Sequence, residues 1–263
     1  MLIDTHCHIF FPEYDSDREA VIKRALSDGI GKMVIVGTDY ASSQQAIALA
    51  SEYPFMFAAV GLHPHEAKFM DKALLSQLEQ LSNHPKVVAI GETGLDFYYN
   101  KSEQEQQKKS FLAQIALAKK RRLPLIIHTR DAWDATFEIL EKEDPDYFRE
   151  VGSVFHCFTA DKAMADRATA MGIYVSFSGI VTFAKTAALQ EAATTVDSRF
   201  ILIETDAPFL APQGFRGKRN EPAYLSTTAE KIAALRSCSK EEVAEITTAN
   251  ANRLFRLNET STA

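Results

Sequence analysis

Eight short apolar, β-branched runs recur along the chain, most of them followed by a longer stretch of helical pattern. The runs are Leu2–Thr5, Lys32–Gly37, Phe55–Gly61, Val87–Glu92, Leu125–Thr129, Ser153–Cys157, Ile173–Ser178 and Phe200–Asp206. Segments such as MVIVG, VVAIGE, PLIIH and FILIETD are too continuously apolar for one face to meet water. They suit parallel strands covered on both sides. Asp15–Ser27 places Ala20, Val21, Ala25 and Leu26 on a helical period and is followed by Gly29, a left-handed stop. Ser102 with Glu105 reads as a capping box opening a helix that reaches Arg122. Ala163–Met171 stops at Gly172, and Ser239 with Glu242 reads as a second capping box. Eight β–helix alternations predict an α/β fold, a closed (β/α)8 TIM barrel, with a doubly wound open sheet as the competing architecture.

The chain has 263 residues and no linker, composition shift or internal repeat, so a single barrel domain over residues 1–263 is expected. A hydrophobic content of 46% with 24% charged residues excludes a disordered chain, and only 11 Gly and 9 Pro exclude a collagen-like one. No apolar run approaches the ~18 residues that a membrane span needs. The opening MLIDTHCHIF lacks the basic region of a signal peptide. Three cysteines (Cys7, Cys157 and Cys238) do not form a disulfide framework and point to a reducing cytoplasm. The net charge of −6 argues against a protein that coats nucleic acid, but leaves room for one that grips it at a local patch. Neither a membrane nor an obligate protein partner is expected.

Histidines and carboxylates gather where the predicted strands end, and in a parallel barrel those ends open on one face. His6 and His8 are two apart, so an extended chain sends both rings to one side. A lone H-x-H is weak, and a single buried His is more often a satisfied core residue. Here Glu92 follows VVAI, His128 follows PLII, His156 follows SVF and Asp206 follows ILIET. Four imidazoles and two carboxylates at one position on five strands can hold two divalent ions, with Glu92 bridging. Such a pair clamps a tetrahedral or pentacoordinate transition state.

Strand 3 ends in GLHPH. His63 lies nearer the strand and is the better candidate to support the ligands or contact substrate; His65 is divided between such a role and an exposed loop, and His84 reads as surface. After strand 8, Arg216, Lys218 and Arg219 lie within four residues, between Gly214 and Pro222. The ordinary reading is a solvated basic loop. Because this loop leaves the catalytic face, it is also placed for a phosphate backbone. Phe209 and Phe215 are candidates for stacking on bases. Arg130 is a candidate phosphate contact, against an ion pair with Asp131 or Asp134.

The stretches DTHCH (4–8), GLHPH (61–65), IGETGLDF (90–97), IIHTRDA (126–132), FHCFT (155–159), SFSGIVTF (176–183), IETDAPFLAP (203–212) and RGKRNEP (216–222) resemble the TatD family of metal-dependent deoxyribonucleases, in family order over nearly the whole chain. The resemblance implies a (β/α)8 barrel of the metallo-dependent hydrolase type and hydrolysis of DNA. His6, His8, Glu92, His128, His156 and Asp206 match the family's metal ligands. Related amidohydrolase barrels often bridge their metals with a carbamylated lysine on strand 4; here that strand ends in Glu92, which favours the nuclease reading.

Three functions follow as expectations. The first is a phosphodiesterase that cuts DNA from a strand end, single strands favoured, through a metal-activated water. Asp206 would orient that water and take its proton, with His63 and Arg130 steadying the phosphate. The second is a hydrolase of the same fold acting on a small amide, ester or lactone. The third is a non-catalytic metal-holding protein. The imidazole-rich donor set suits Zn, Mn, Co or Fe, whereas the resemblance implies Mg or Mn.

Overall fold

The computed structural model describes residues 1–143 and 145–258. In chain order its regular elements are β1 (Leu2–Cys7), α1 (Arg18–Ser27), β2 (Ile30–Val36), α2 (Tyr40–Glu52), β3 (Met56–Val60), α3 (Lys72–Leu81), β4 (Val87–Asp96), α4 (Gln104–Arg121), β5 (Leu125–Arg130), α5 (Trp133–Lys142), α6 (Pro145–Glu150), β6 (Ser153–Phe155), α7 (Lys162–Ala170), β7 (Ile173–Phe177), α8 (Ala187–Thr195), β8 (Ile201–Ile203), α9 (Leu225–Arg236) and α10 (Lys240–Phe255). The strands follow one another in sequence order, β1 to β8, within one sheet. Cys7 bridges Ala207 in the parallel sense, so the chain past β8 returns to β1. This is the (β/α)8 barrel that the alternation predicted, not the doubly wound sheet.

The chain divides into two units. The first comprises residues 1–35, 156–170 and 174–253. Its interior holds Ile3, Met33, Val34 and Ile35 beside Val175, Phe177, Leu202 and Ile203, all essentially buried, with Val21, Ala25 and Ile232 contributed by helices. Asp4 ties its two ends together. The Asp4 carboxylate accepts the Thr205 N–H at 3.0 Å and the Thr205 hydroxyl at 2.6 Å. The second unit comprises residues 36–155, 171–173 and the described residues from Leu254 on. Ala58, Val60, Ile90 and Ile126 line its strands, and α4 buries Phe111, Ile115 and Ala118. Fully burying a side chain such as Phe111 stabilises the fold by about 1.5–3 kcal/mol.

Two strands carry a register irregularity at a predicted ligand. In β1, Asp4 pairs with Met33 but Cys7 with Ile35, so three steps face two around Thr5–His6. In β4, Ile90 pairs with Leu125 but Thr93 with Ile127, the same mismatch around Gly91–Glu92. Extra residues of this kind bend the strand and re-aim a side chain.

Several predicted boundaries move. β4 runs to Asp96 rather than Glu92, because TGLD stays buried against β5. β6 and β8 stop early, at Phe155 and Ile203, and left-handed turns follow at Cys157 (φ 44°) and Asp206 (φ 55°). α1 starts at Arg18, since Pro12–Tyr14 forms a separate 3-10 turn. The Ser102–Glu105 box is corrected by one residue. Glu103 caps α4, its N–H donating to Gln106 Oε1 at 3.1 Å, while the Ser102 hydroxyl donates to the His65 carbonyl at 2.8 Å. The Ser239–Glu242 box forms as predicted, with reciprocal bonds of 2.8 and 3.1 Å.

Candidate metal centre

Both units carry a group of histidines and carboxylates at strand C-termini, buried in the first and partly buried in the second. In the first, His6 ends its run inside β1, His8 lies one residue beyond that strand, and His156 is the first residue after β6. Asp206 lies three residues past β8 on its left-handed turn. His6 Nε2 and His8 Nε2 are 3.1 Å apart. Asp206 Oδ1 lies 3.6 Å from the former and 3.4 Å from the latter. The rings of His6 and His156 stack at 4.0 Å. Three lone-pair atoms separated by 3.1–3.6 Å match the edges of a coordination polyhedron with metal–ligand bonds of ~2.0–2.2 Å. His6, His156 and Asp206 also bring one donor atom each within 4.8 Å of one another. Burial alone would raise the Asp206 carboxyl, but its hydrogen bond with His8 and the charge of His6, His8 and His156 outweigh it and hold the group below its ordinary range. An ionised carboxylate among imidazoles suits a divalent cation.

Two acidic residues here were missed as site members. Glu204 lies 3.4 Å from His156 Nδ1 and accepts the Cys157 N–H at 2.6 Å, which places a carboxylate beside the imidazole. Asp4 accepts from Thr205 and lies two residues before His6; burial pushes its carboxyl up to about 7 against the pull of those hydrogen bonds. The alternation Asp4–His6–His8 was a signal that could have found it.

In the second unit, Glu92 sits on the irregular stretch of β4 and His128 lies within β5. His128 Nδ1 is 2.9 Å from Glu92 Oε1, and its Nε2 is 3.1 Å from Asp96 Oδ2. With Nε2–H donated to Asp96, Nδ1 keeps a lone pair beside Glu92, the arrangement by which a carboxylate orients a metal-binding imidazole. Asp96 is the third missed acid. It also accepts from His65 Nε2 at 2.9 Å and from the Tyr99 N–H at 2.8 Å. Burial would raise Asp96, but the bonds from His128, His65 and Tyr99 prevail and keep it ionised.

His63, Glu92 and His128 place one donor atom each within 4.8 Å of one another. The ring of His63 is nevertheless committed to donation. Its Nδ1 accepts the His65 N–H at 3.1 Å, so the proton of the neutral ring sits on Nε2, 3.3 Å from Glu92 Oε1. Burial outweighs Glu92 and lowers His63 to about 4, so the ring stays neutral. Gly94 makes this packing possible. Its φ is 137°, and a Cβ there would fall 2.0 Å from the His128 carbonyl oxygen.

The basic candidates have distinct surroundings. Arg219 makes a bidentate pair with Asp17 at 2.8 and 2.7 Å and lies over the Tyr14 ring. Arg216 is exposed, 4.6 Å from the Phe183 ring, and Lys218 is exposed, 5.8 Å from the Phe215 ring. Phe215 itself stacks on Tyr224 at 3.8 Å, whereas Phe209 is exposed. Arg130 is exposed and lies over Tyr98 and Tyr99. His84 is half-buried in the turn before β4, where its Nδ1 accepts the Lys86 N–H.

Comparison with known proteins joins these observations to a family. The model for TatD-related DNases matches residues 3–256. The metal-dependent hydrolase YabD of Bacillus subtilis is 45% identical over 258 residues, covering 98% of this chain and 100% of the relative. The 3'-5' ssDNA/RNA exonuclease TatD of Salmonella typhimurium is 35% identical over 259 residues, 97% of this chain and 98% of its own. The crystal structure of the TatD homologue YJJV from Escherichia coli superposes with a TM-score of 0.90 at 31% identity, over 97% of this chain and 98% of that one. The chain belongs to the TatD-related DNase family of metal-dependent hydrolases.

Proposed function

We propose that the chain, acting as one catalytic domain, is a metal-dependent phosphodiesterase that removes nucleotides from the end of a nucleic-acid strand. The observation that carries this reading is the pair of buried donor groups at the strand ends: His6, His8 and Asp206 with mutual spacings of 3.1–3.6 Å, and Glu92 with His128 at 2.9 Å. His156, stacked on His6, completes the six-ligand set. The exonuclease named among the relatives supports the choice of substrate.

Two divalent ions, Mg, Mn or Zn, would supply Lewis acidity toward a phosphoryl oxygen and lower the pKa of a water. Asp206, held below its ordinary range by His8, His6 and His156, would orient a water there and take its proton. Glu92 would be the carboxylate that holds metal beside His128. His63, whose Nε2–H faces Glu92 Oε1 at 3.3 Å, would have to turn that proton to a phosphoryl oxygen to steady the phosphate, and its neutrality suits that role. His65 is held by Asp96 beside it. Arg216 and Lys218 sit exposed on their loop and supply positive charge for the strand beyond the scissile bond.

The test is time-resolved digestion of 3′- and 5′-labelled single- and double-stranded DNA and RNA with each metal, for the wild type and Asp206→Ala. Stepwise shortening from one end that a chelator stops, and that falls by roughly a hundredfold or more in the variant, is expected. Turnover of a small amide or lactone panel without any cleavage of nucleic acid would replace this reading with the amidohydrolase one.

A further inference from the structure

Two consecutive tyrosines, Tyr98 and Tyr99, follow β4 and are about half exposed, 57% and 52%. Two adjacent half-exposed rings make a small aromatic surface of the kind that marks interaction sites. They are not loosely placed. The Tyr99 N–H donates to Asp96 Oδ1 at 2.8 Å, and the two rings meet edge to face at 4.9 Å. The Arg130 guanidinium lies 4.3 Å from the Tyr98 centroid and 4.8 Å from that of Tyr99. Lys101 Nζ lies 5.9 Å from the Tyr99 ring. On its inner side Tyr99 meets the ring of His65 at 5.4 Å. His65 shares Asp96 with His128, which is in turn 2.9 Å from Glu92. The exposed rings are therefore linked by a short chain of contacts to the proposed metal ligands.

Resting on the proposed nuclease reading, we infer that Tyr98 and Tyr99, braced by Arg130, form a stacking platform for an unpaired nucleobase of the strand being cut. Aromatic faces flanked by cations hold single-stranded nucleic acid in general, since every base has a π-face and every linkage a negative charge. A paired base has its faces covered by its neighbours in the helix, so the platform selects frayed or single-stranded ends. Stacking reads the presence of a base more than its identity, because every base has a π-face. Arg130, the candidate phosphate contact, also braces the two rings and contributes charge.

The experiment compares KM and kcat on a single-stranded oligonucleotide with those on the same oligonucleotide carrying abasic sites in its last three positions. The enzymes are wild type, Tyr98→Ala/Tyr99→Ala, Tyr98→Phe/Tyr99→Phe and Arg130→Ala. The wild type is expected to prefer the base-bearing strand by roughly tenfold or more in KM, on the scale of stacking one base. That preference should collapse toward one in the double alanine variant and persist in the double phenylalanine variant. Quenching of terminal 2-aminopurine fluorescence on binding should follow the same order. A double alanine variant that keeps the full preference, or a phenylalanine variant that loses it, overturns the platform while the nuclease reading stands. A wild type that cuts no nucleic acid overturns both.

Discussion

His63 shows how one backbone bond sets a side chain's chemistry. The His65 N–H occupies Nδ1, so the only proton of the neutral ring points at Glu92. A histidine drawn from sequence as a substrate contact thus takes the form of a hydrogen-bond donor, and burial keeps it there. Arg219 runs the other way. In sequence it is one of three similar cations, but its guanidinium is taken by Asp17, roughly 200 residues earlier, and no local pattern announces that pairing. The Arg219 bond holds the Asp17 carboxyl below its ordinary range. A depressed folded pKa means that the pair stabilises above the unfolded carboxylate value near ~4 and loses its effect as pH falls through the folded one. Asp17→Asn should lower stability by no more than about 1 kcal/mol at pH 7, because the pair is partly solvated. Denaturation midpoints of variant and wild type should converge below about pH 3. An equal gap at both pH values would assign the loss to packing instead.

At the scale of elements, periodicity identified all eight strands, since a run apolar on both faces has few other places to go. It also placed the candidate ligands, because a polar residue that ends such a run must sit at the strand's mouth. What escaped was the register. Nothing in DTHCH or IGETG indicates that His6 and Glu92 lie on irregular stretches, because a bulge is set by how two strands pair and not by either alone. The supporting acids escaped for a related reason: Asp96 and Glu204 look like ordinary ends of β4 and β8 until the facing histidines are in place. Gly94→Ala tests the fit between β4 and β5. The added methyl would meet the His128 carbonyl in a conformation that L-residues rarely adopt. We expect a loss of about 1–3 kcal/mol or more, with fewer metal ions retained per chain by elemental analysis. A variant with wild-type melting and full metal content would show that the strands can separate here without moving the ligands.

For the molecule as a whole, metal occupancy and fold stability should be linked. Ions that bind the assembled ligands and not the unfolded chain stabilise by mass action, about 2.7 kcal/mol when free metal is a hundredfold above Kd. For a chain of this size each kcal/mol moves the midpoint by ~2–4 °C. Chelation should therefore lower the melting temperature by several degrees, and readdition of Mn, Mg or Zn should restore it in order of affinity. A melting curve indifferent to chelator and to every added ion would argue that these side chains hold no metal. No helix among the described residues is long and apolar enough to cross a membrane.

The clasp between Asp4 and Thr205 joins positions 201 residues apart. A ribosome delivers His6 and His8 long before Asp206, so while the intervening strands are made the two imidazoles have no acidic companion from the turn after β8. Any truncation before Thr205 leaves β1 without this clasp and the proposed reactive centre without Asp206.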